Sequence, residues 1–167
     1  VTAIWDDPLG LDVTFSNIDS VSCFGGICDG MATATAVFED GTPGLFDFSW
    51  ESGEADNSVD ESTATNLCAG FQTVNINFGV CNLVDSVFIG SPEDILVNSD
   101  LIIEPSCFGD ADGSIEIQID GGTAPYTTNW DNGETGLLIE NLTQGFYTVS
   151  VQDDNNCSTS VMIGLGQ

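Results

Sequence analysis

The sequence predicts an all-β chain built as two tandem β-sandwich units of about seven short strands each, stapled by disulfides. Three observations carry this. The unit Ser-Cys-Phe-Gly occurs at Ser22–Gly25 and again at Ser106–Gly109. Short runs alternate apolar with polar residues, separated by Gly- and Asn-containing turns and without helical period. The cysteines fall at matching places in the two halves.

The repeat is more than its first four residues. Asp29-Gly30 answers Asp112-Gly113, Asp40-Gly41 answers Asp120-Gly121, and Trp50 with Gly53 answers Trp130 with Gly133. Asn66, Leu67, Gly70, Phe71 and Cys81 then answer Asn141, Leu142, Gly145, Phe146 and Cys157 in the same order. Near the first end, Val1–Ile4 before Pro8 resembles Ser86–Ile89 before Pro92, and Ser160–Ile163 closes the second copy. The expected division is therefore residues 1–5 as the last strand of a preceding repeat, 6–91 as a divergent repeat and 92–167 as a typical one, the whole a piece of a longer array.

In the first copy the expected strands are 9–15, 31–38, 45–50, 59–63, 71–78 and 83–89. In the second, 95–97 and 101–103 precede Cys107, and Ile115, Ile117 and Ile119 alternate with Glu116, Gln118 and Asp120 as in a half-buried strand. Asp120-Gly121-Gly122 turns the chain into 126–130, and Asp131-Asn132-Gly133 ends that strand. Strands at 137–139, 146–151 and 159–163 complete an immunoglobulin-like pattern. Trp50 and Trp130 are expected in the two cores, near the cysteine bridges. Ala32, Ala34 and Ala36 stand where the second copy has isoleucines, predicting a thinner core in the first.

The chain holds 27 acidic residues and no Lys, Arg or His, a net charge of −27. Nucleic acid and anionic membrane surfaces are thus repelled partners, since binding there rests on Lys and Arg. No apolar run reaches the length needed to insert in a bilayer. With 41% hydrophobic residues, the chain is nonetheless too apolar for disorder. Screening salt, bound cation or reduced charge must relieve its self-repulsion, which suits a saline or calcium-containing exterior.

Six cysteines in repeat-related positions indicate disulfides formed in an oxidising compartment. Pairing within each copy predicts Cys23–Cys81 and Cys107–Cys157, with Cys28–Cys68 private to the first copy. Without His, neither a Ser-His-Asp nor a Cys-His nucleophile can be assembled, and without Lys or Arg phosphoryl transfer lacks its usual counter-charge. No enzymatic activity is expected.

Cys107-Phe108-Gly109, Asp112-Gly113-Ser114-Ile115, Gly121 through Tyr126, Trp130, Asn132-Gly133, Leu142, Gly145, Tyr147-Thr148-Val149, Val151, Asp153 and Cys157 resemble the SprB repeat family of very large cell-surface adhesins of Bacteroidetes. The first copy keeps Cys23-Phe24-Gly25-Gly26, Asp29-Gly30, Gly41-Thr42-Pro43, Trp50, Gly53, Leu67, Gly70 and Cys81, but has Leu45-Phe46 where Pro-Tyr is usual. The resemblance implies export by the type IX secretion route, a β-sandwich array at the cell surface, and a role in adhesion and gliding.

Candidate sites are few. Asp110 and Asp112 flank a Gly-containing turn, Asp153 and Asp154 form a second acidic pair, and Asp6 and Asp7 a third; each is a candidate calcium ligand set, although the later Glu of an EF-hand loop is missing. No cofactor is required beyond a possible calcium ion. Asp19-Ser20-Val21 and Asp85-Ser86-Val87 resemble the Asp-Ser/Thr-aliphatic pattern for O-glycosylation in Bacteroidetes, making Ser20 and Ser86 candidate acceptors. The leading expectation is a segment of a long extracellular stalk or filament, its partners being neighbouring repeats and an extracellular surface. The alternatives are a polysaccharide-binding module with Trp5 or Phe46 as exposed contacts, and homotypic assembly through a terminal strand.

Overall fold

The computed structural model describes residues 10–166, so Val1–Ile4, Trp5, Asp6 and Asp7 lie outside the described residues. The chain divides into two compact units. Among the described residues, Gly10–Ser22 and Gly26–Ser91 form the first; Cys23–Gly25 and Pro92–Gly166 form the second.

The first unit holds β1 (Leu11–Asp19), β2 (Gly30–Phe38), β3 (Phe46–Trp50), β4 (Ala55–Val59), β5 (Glu61–Leu67), β6 (Gly70–Phe78) and β7 (Cys81–Ile89). They make two antiparallel sheets, β1-β2-β5 and β4-β3-β6-β7. Strands one, two and five in one sheet and three, six and seven in the other is the immunoglobulin-like arrangement, with β4 added at an edge. The second unit holds β8 (Leu96–Ile103), β9 (Gly113–Asp120), β10 (Thr127–Trp130), β11 (Leu138–Leu142), β12 (Gly145–Gln152) and β13 (Ser158–Leu165). Its sheets, β11-β9-β8 and β10-β12-β13, repeat that plan without the edge strand.

Each core is filled by alternate residues of both sheets. In the first unit Phe46, Phe48 and Trp50 of β3 face Ala32, Ala34 and Ala36 of β2, with Val74, Ile76, Val87 and Ile89 between them. In the second unit the bulk changes sides: Ile115 and Ile117 of β9 are buried, and Thr128 stands where the first unit has Phe48. The core expected to be thinner is therefore compensated by phenylalanines, whose rings pack with one another at 5.6 Å (Phe38–Phe46) and 6.4 Å (Phe46–Phe48). Phe46 is completely buried, which corrects its assignment as an exposed contact; Leu45, one residue earlier, takes the exposed face.

Trp50 and Trp130 are core residues with satisfied indole N–H groups. Trp50 donates to Ser62 Oγ at 3.0 Å, and that hydroxyl donates to Asp56 at 2.7 Å; Trp130 donates to the Gly136 carbonyl at 3.0 Å. The repeated Asp-Gly has a packing reason. A Cβ on Gly30 would come within 2.6 Å of Ile89, and one on Gly113 within 2.8 Å of Leu165, so glycine admits the last core residue of each unit. The repeated Asn-Leu likewise places Asn66 (φ 58) and Asn141 (φ 57) in the left-handed conformation that asparagine tolerates, at irregularities in the β5 and β11 ladders.

Candidate functional site

The chemistry of this chain is concentrated at its cysteines and the two loop systems that hold them. After β1, the chain enters the Ser22–Gly25 turn. The Ser22 N–H donates to Asp29 Oδ1 at 2.8 Å, and in the second copy Ser106 N–H donates to Asp112 Oδ1 at 2.9 Å. The Ser106 hydroxyl adds bonds to Asp112 Oδ2 at 2.6 Å and Asp110 Oδ2 at 3.3 Å. Asp29 and Asp112 therefore clamp equivalent turns. The serine hydroxyl first, and its N–H second, hold both carboxyls below the usual carboxylate range.

The second system is the β12–β13 turn. Asp153 is buried; its Oδ1 accepts from Cys157 N–H and its Oδ2 from Thr123 N–H, both at 2.9 Å. The first unit makes the same hairpin with Phe78 paired to Cys81 across Gly79-Val80. Asp153 thus orders the loop that presents Cys157, whereas Phe78 anchors its own hairpin through ring contact with Phe38 and Phe46.

Two disulfides are present. Cys28–Cys68 joins the loop before β2 to the end of β5, beside the Gly30–Leu67 pair that closes their ladder. The other bond is Cys23–Cys157, leaving Cys81 half-buried and Cys107 exposed as thiols. This corrects the expected Cys23–Cys81 and Cys107–Cys157 bridges, and strand direction gives the reason. Val21 N–H donates to the Gly90 carbonyl at 3.0 Å, so Cys23 leaves β1 beside the end of β7. Cys81 begins that same nine-residue strand, about 27 Å away at the rise of an antiparallel strand. A disulfide spans a Cα separation of only about 4.4–6.8 Å. In the second unit a Cβ on Gly166, just past β13, would meet Glu104, just past β8, which puts the chain leading to Cys107 at the strand end opposite Cys157.

A small polar recess lies beside Cys157, lined by Phe24, Pro92, Glu93, Asp94, Ile95, Gly122, Asp153 and Ser158. The other candidate residues stay apart. Asp154 is exposed, with its N–H donating to the Thr123 carbonyl. Among the described residues no three His, Cys, Asp or Glu side chains gather as a metal cluster. Ser20 and Ser86 are both exposed, Ser20 just after β1 and Ser86 on β7. A feature the sequence reading passed over is the exposed pair Phe71 and Phe88, cross-strand partners on β6 and β7 with ring centroids 5.2 Å apart. Its signal was available, because both residues alternate out of phase with core residues Val74, Val87 and Ile89.

Fold and site define a class: tandem immunoglobulin-like sandwiches held by disulfides. Comparison with protein-family models matches residues 103–135 to the SprB repeat, within the second unit. No curated protein matches. Among solved structures, a C-terminal fragment of intimin in complex with the intimin-binding domain of its translocated receptor is similar at 13% identity, covering 93% of this chain and 64% of that one, with a TM-score of 0.42. Three N-terminal domains of the outer capsid protein Hoc of bacteriophage RB49 are similar at 17% identity, over 92% of this chain and 57% of that one, with a TM-score of 0.47. Domains 4 and 5 of the S-layer protein SbsC match at 13% identity over 94% and 98%, with a TM-score of 0.32. The chain spans less than two thirds of the intimin and Hoc fragments. Among the described residues no helix is long and apolar enough to cross a membrane.

Proposed function

We propose that this chain is a non-enzymatic structural segment of a repetitive extracellular adhesin, a stalk whose units set spacing. The observation that carries the reading is that one sandwich plan is built twice in tandem, with an SprB repeat matched in the second unit. Disulfides add the compartment, since such bonds persist outside the reducing cytosol. The absence of Lys, Arg and His removes the commonest catalytic bases and anion-binding groups. Attachment to a surface, and gliding, are the finer roles that such a stalk would serve. Antibodies against residues 10–166 should label intact source cells and their Fab fragments should reduce attachment; epitopes exposed only after lysis would sink the reading.

The Phe71–Phe88 pair favours a second reading, in which the first unit also contacts a polysaccharide. Phe71→Ala with Phe88→Ala should then abolish retention on the source organism's polysaccharide, while retention unchanged from wild type would reject it.

A further inference from the structure

We propose that Cys81 and Cys107 are half-bridges to further repeats of this type, each hairpin cysteine of the array taking the Ser-Cys-Phe-Gly cysteine one repeat earlier in sequence, as Cys157 takes Cys23. The partner is thus a further unit of this type. The proposal rests on the array reading and names its covalent connection.

The repeat relation makes Cys107 the counterpart of Cys23 and Cys81 the counterpart of Cys157. The Ser-Cys-Phe-Gly cysteine belongs to the end of a unit where its last strand finishes; the hairpin cysteine belongs to the end where that strand begins. Within one sequence repeat they are a strand length apart, so neither pairs there. The bonded pair lies within the second unit, which takes in Cys23–Gly25 from the first sequence repeat and carries Cys157 on its own hairpin. Shifted one repeat onward, the same rule takes Cys107 to the hairpin of the next unit; shifted one repeat back, it brings the preceding Ser-Cys-Phe-Gly turn to Cys81. Cys81 and Cys107 are the two thiols among the described residues.

A second observation agrees. Phe24, next to the bonded Cys23, lines the recess beside Cys157 and is 56% exposed; Phe108, next to the thiol of Cys107, is 82% exposed. The turn is thus built alike twice, clamped by Asp29 and by Asp112, and the phenylalanine of the bonded copy is the less exposed of the two.

Bond formation is an exchange with a disulfide oxidant, either a small-molecule disulfide or an oxidase disulfide. The Cys107 thiolate attacks one sulfur of the oxidant and expels one thiol; the hairpin thiolate then attacks the mixed disulfide and expels the second. Two cysteine thiols are oxidised, one oxidant disulfide is reduced to two thiols, and the protons pass to those leaving groups.

A head-to-tail fusion tests this, because joining Gln167 directly to Pro8 of a second copy reproduces the spacing from Cys81 to Pro92. The fusion is folded in a reduced/oxidised glutathione buffer, alkylated, cleaved after acidic residues without reduction and mapped by mass spectrometry. The single chain should show Cys81 and Cys107 alkylated. The fusion should keep only the first Cys81 and the last Cys107 alkylated, with a linked peptide joining Cys107 of the first copy to Cys81 of the second. All four thiols alkylated, or a Cys81–Cys107 bond inside one copy, would overturn the proposal. Should the fusion misfold, equimolar Cys81→Ser and Cys107→Ser single chains are mixed and then oxidised: Cys107–Cys81 heterodimers should make up well over half of all dimers, and the one-half of a statistical mixture would overturn it. Failure here leaves the surface-labelling result untouched, so the two readings fall separately.

Discussion

Cys23 is bonded to Cys157, 134 positions further along the chain. Tension applied at the two ends therefore passes through the sulfurs and bypasses everything between them, including β2–β7 and most of the second unit. We expect single-molecule stretching under oxidising conditions to withhold roughly 440–480 Å of contour, the extended length of that stretch. Reductant should release it. An identical contour with and without reductant would show that the bond does not carry the load.

The Cys28–Cys68 bond closes a shorter loop, 40 positions apart, at the end of the β2–β5 ladder. In the chain-entropy model it stabilises by about 4 kcal/mol, against about 5 kcal/mol for Cys23–Cys157. The double variant Cys28→Ser, Cys68→Ser should lower the melting midpoint of the first unit and leave the second unit's near-ultraviolet dichroism intact. A change confined to the second unit would contradict the division of the chain.

Phe46 is the load of the first core, packed by Phe38, Phe48 and Phe78. Phe46→Ala should cost about 3–5 kcal/mol, the usual loss for a buried aromatic. Phe71→Ala, on the exposed face of β6, should stay within about 0.5 kcal/mol. Denaturant titration of both variants measures the contrast, and equal losses would refute the assignment of faces.

These faces show how far the sequence could be read. Period-two alternation marks β9, β12 and β13, where one face is buried and the other wet. Placing Trp50 in the core already commits Phe48 and Phe46 to the same face, since strand parity allows no other outcome. β4, Ala55–Val59, is an edge strand whose residues are half-buried or exposed, so it carries no apolar signal. β8 is one strand interrupted by a register shift between Ser99 and Leu101, which reads in sequence as two. The cysteines were legible as equivalents but not as partners. Which end of a sandwich each occupies depends on strand direction, and the repeat pattern does not contain it.

Self-repulsion among 27 carboxylates with no side-chain cation should make stability rise with ionic strength. Asp112 and Asp153 spend their oxygens on N–H and O–H donors. Calcium and magnesium at matched ionic strength should therefore raise the melting midpoint alike. A rise specific to calcium, reversed by chelator and removed by Asp110→Asn or Asp154→Asn, would instead establish a calcium site.

The Ser106 hydroxyl and N–H lower the Asp112 pKa in the folded chain, and Ser22 does the same for Asp29. A carboxyl depressed on folding binds its proton more weakly than in the unfolded chain, whose value is 3.8. Its stabilisation is complete above that value and is lost as pH falls through the lower folded pKa. Acid should therefore open both Ser-Cys-Phe-Gly turns only below pH 3.8. In Ser106→Ala the N–H bond remains but the hydroxyl, the stronger of the two donors, is gone, so the Asp112 titration followed by carboxyl NMR should move up toward the unfolded value while that of Asp29 stays in place. An unmoved Asp112 would mean that the hydroxyl does not clamp the turn that presents Cys107.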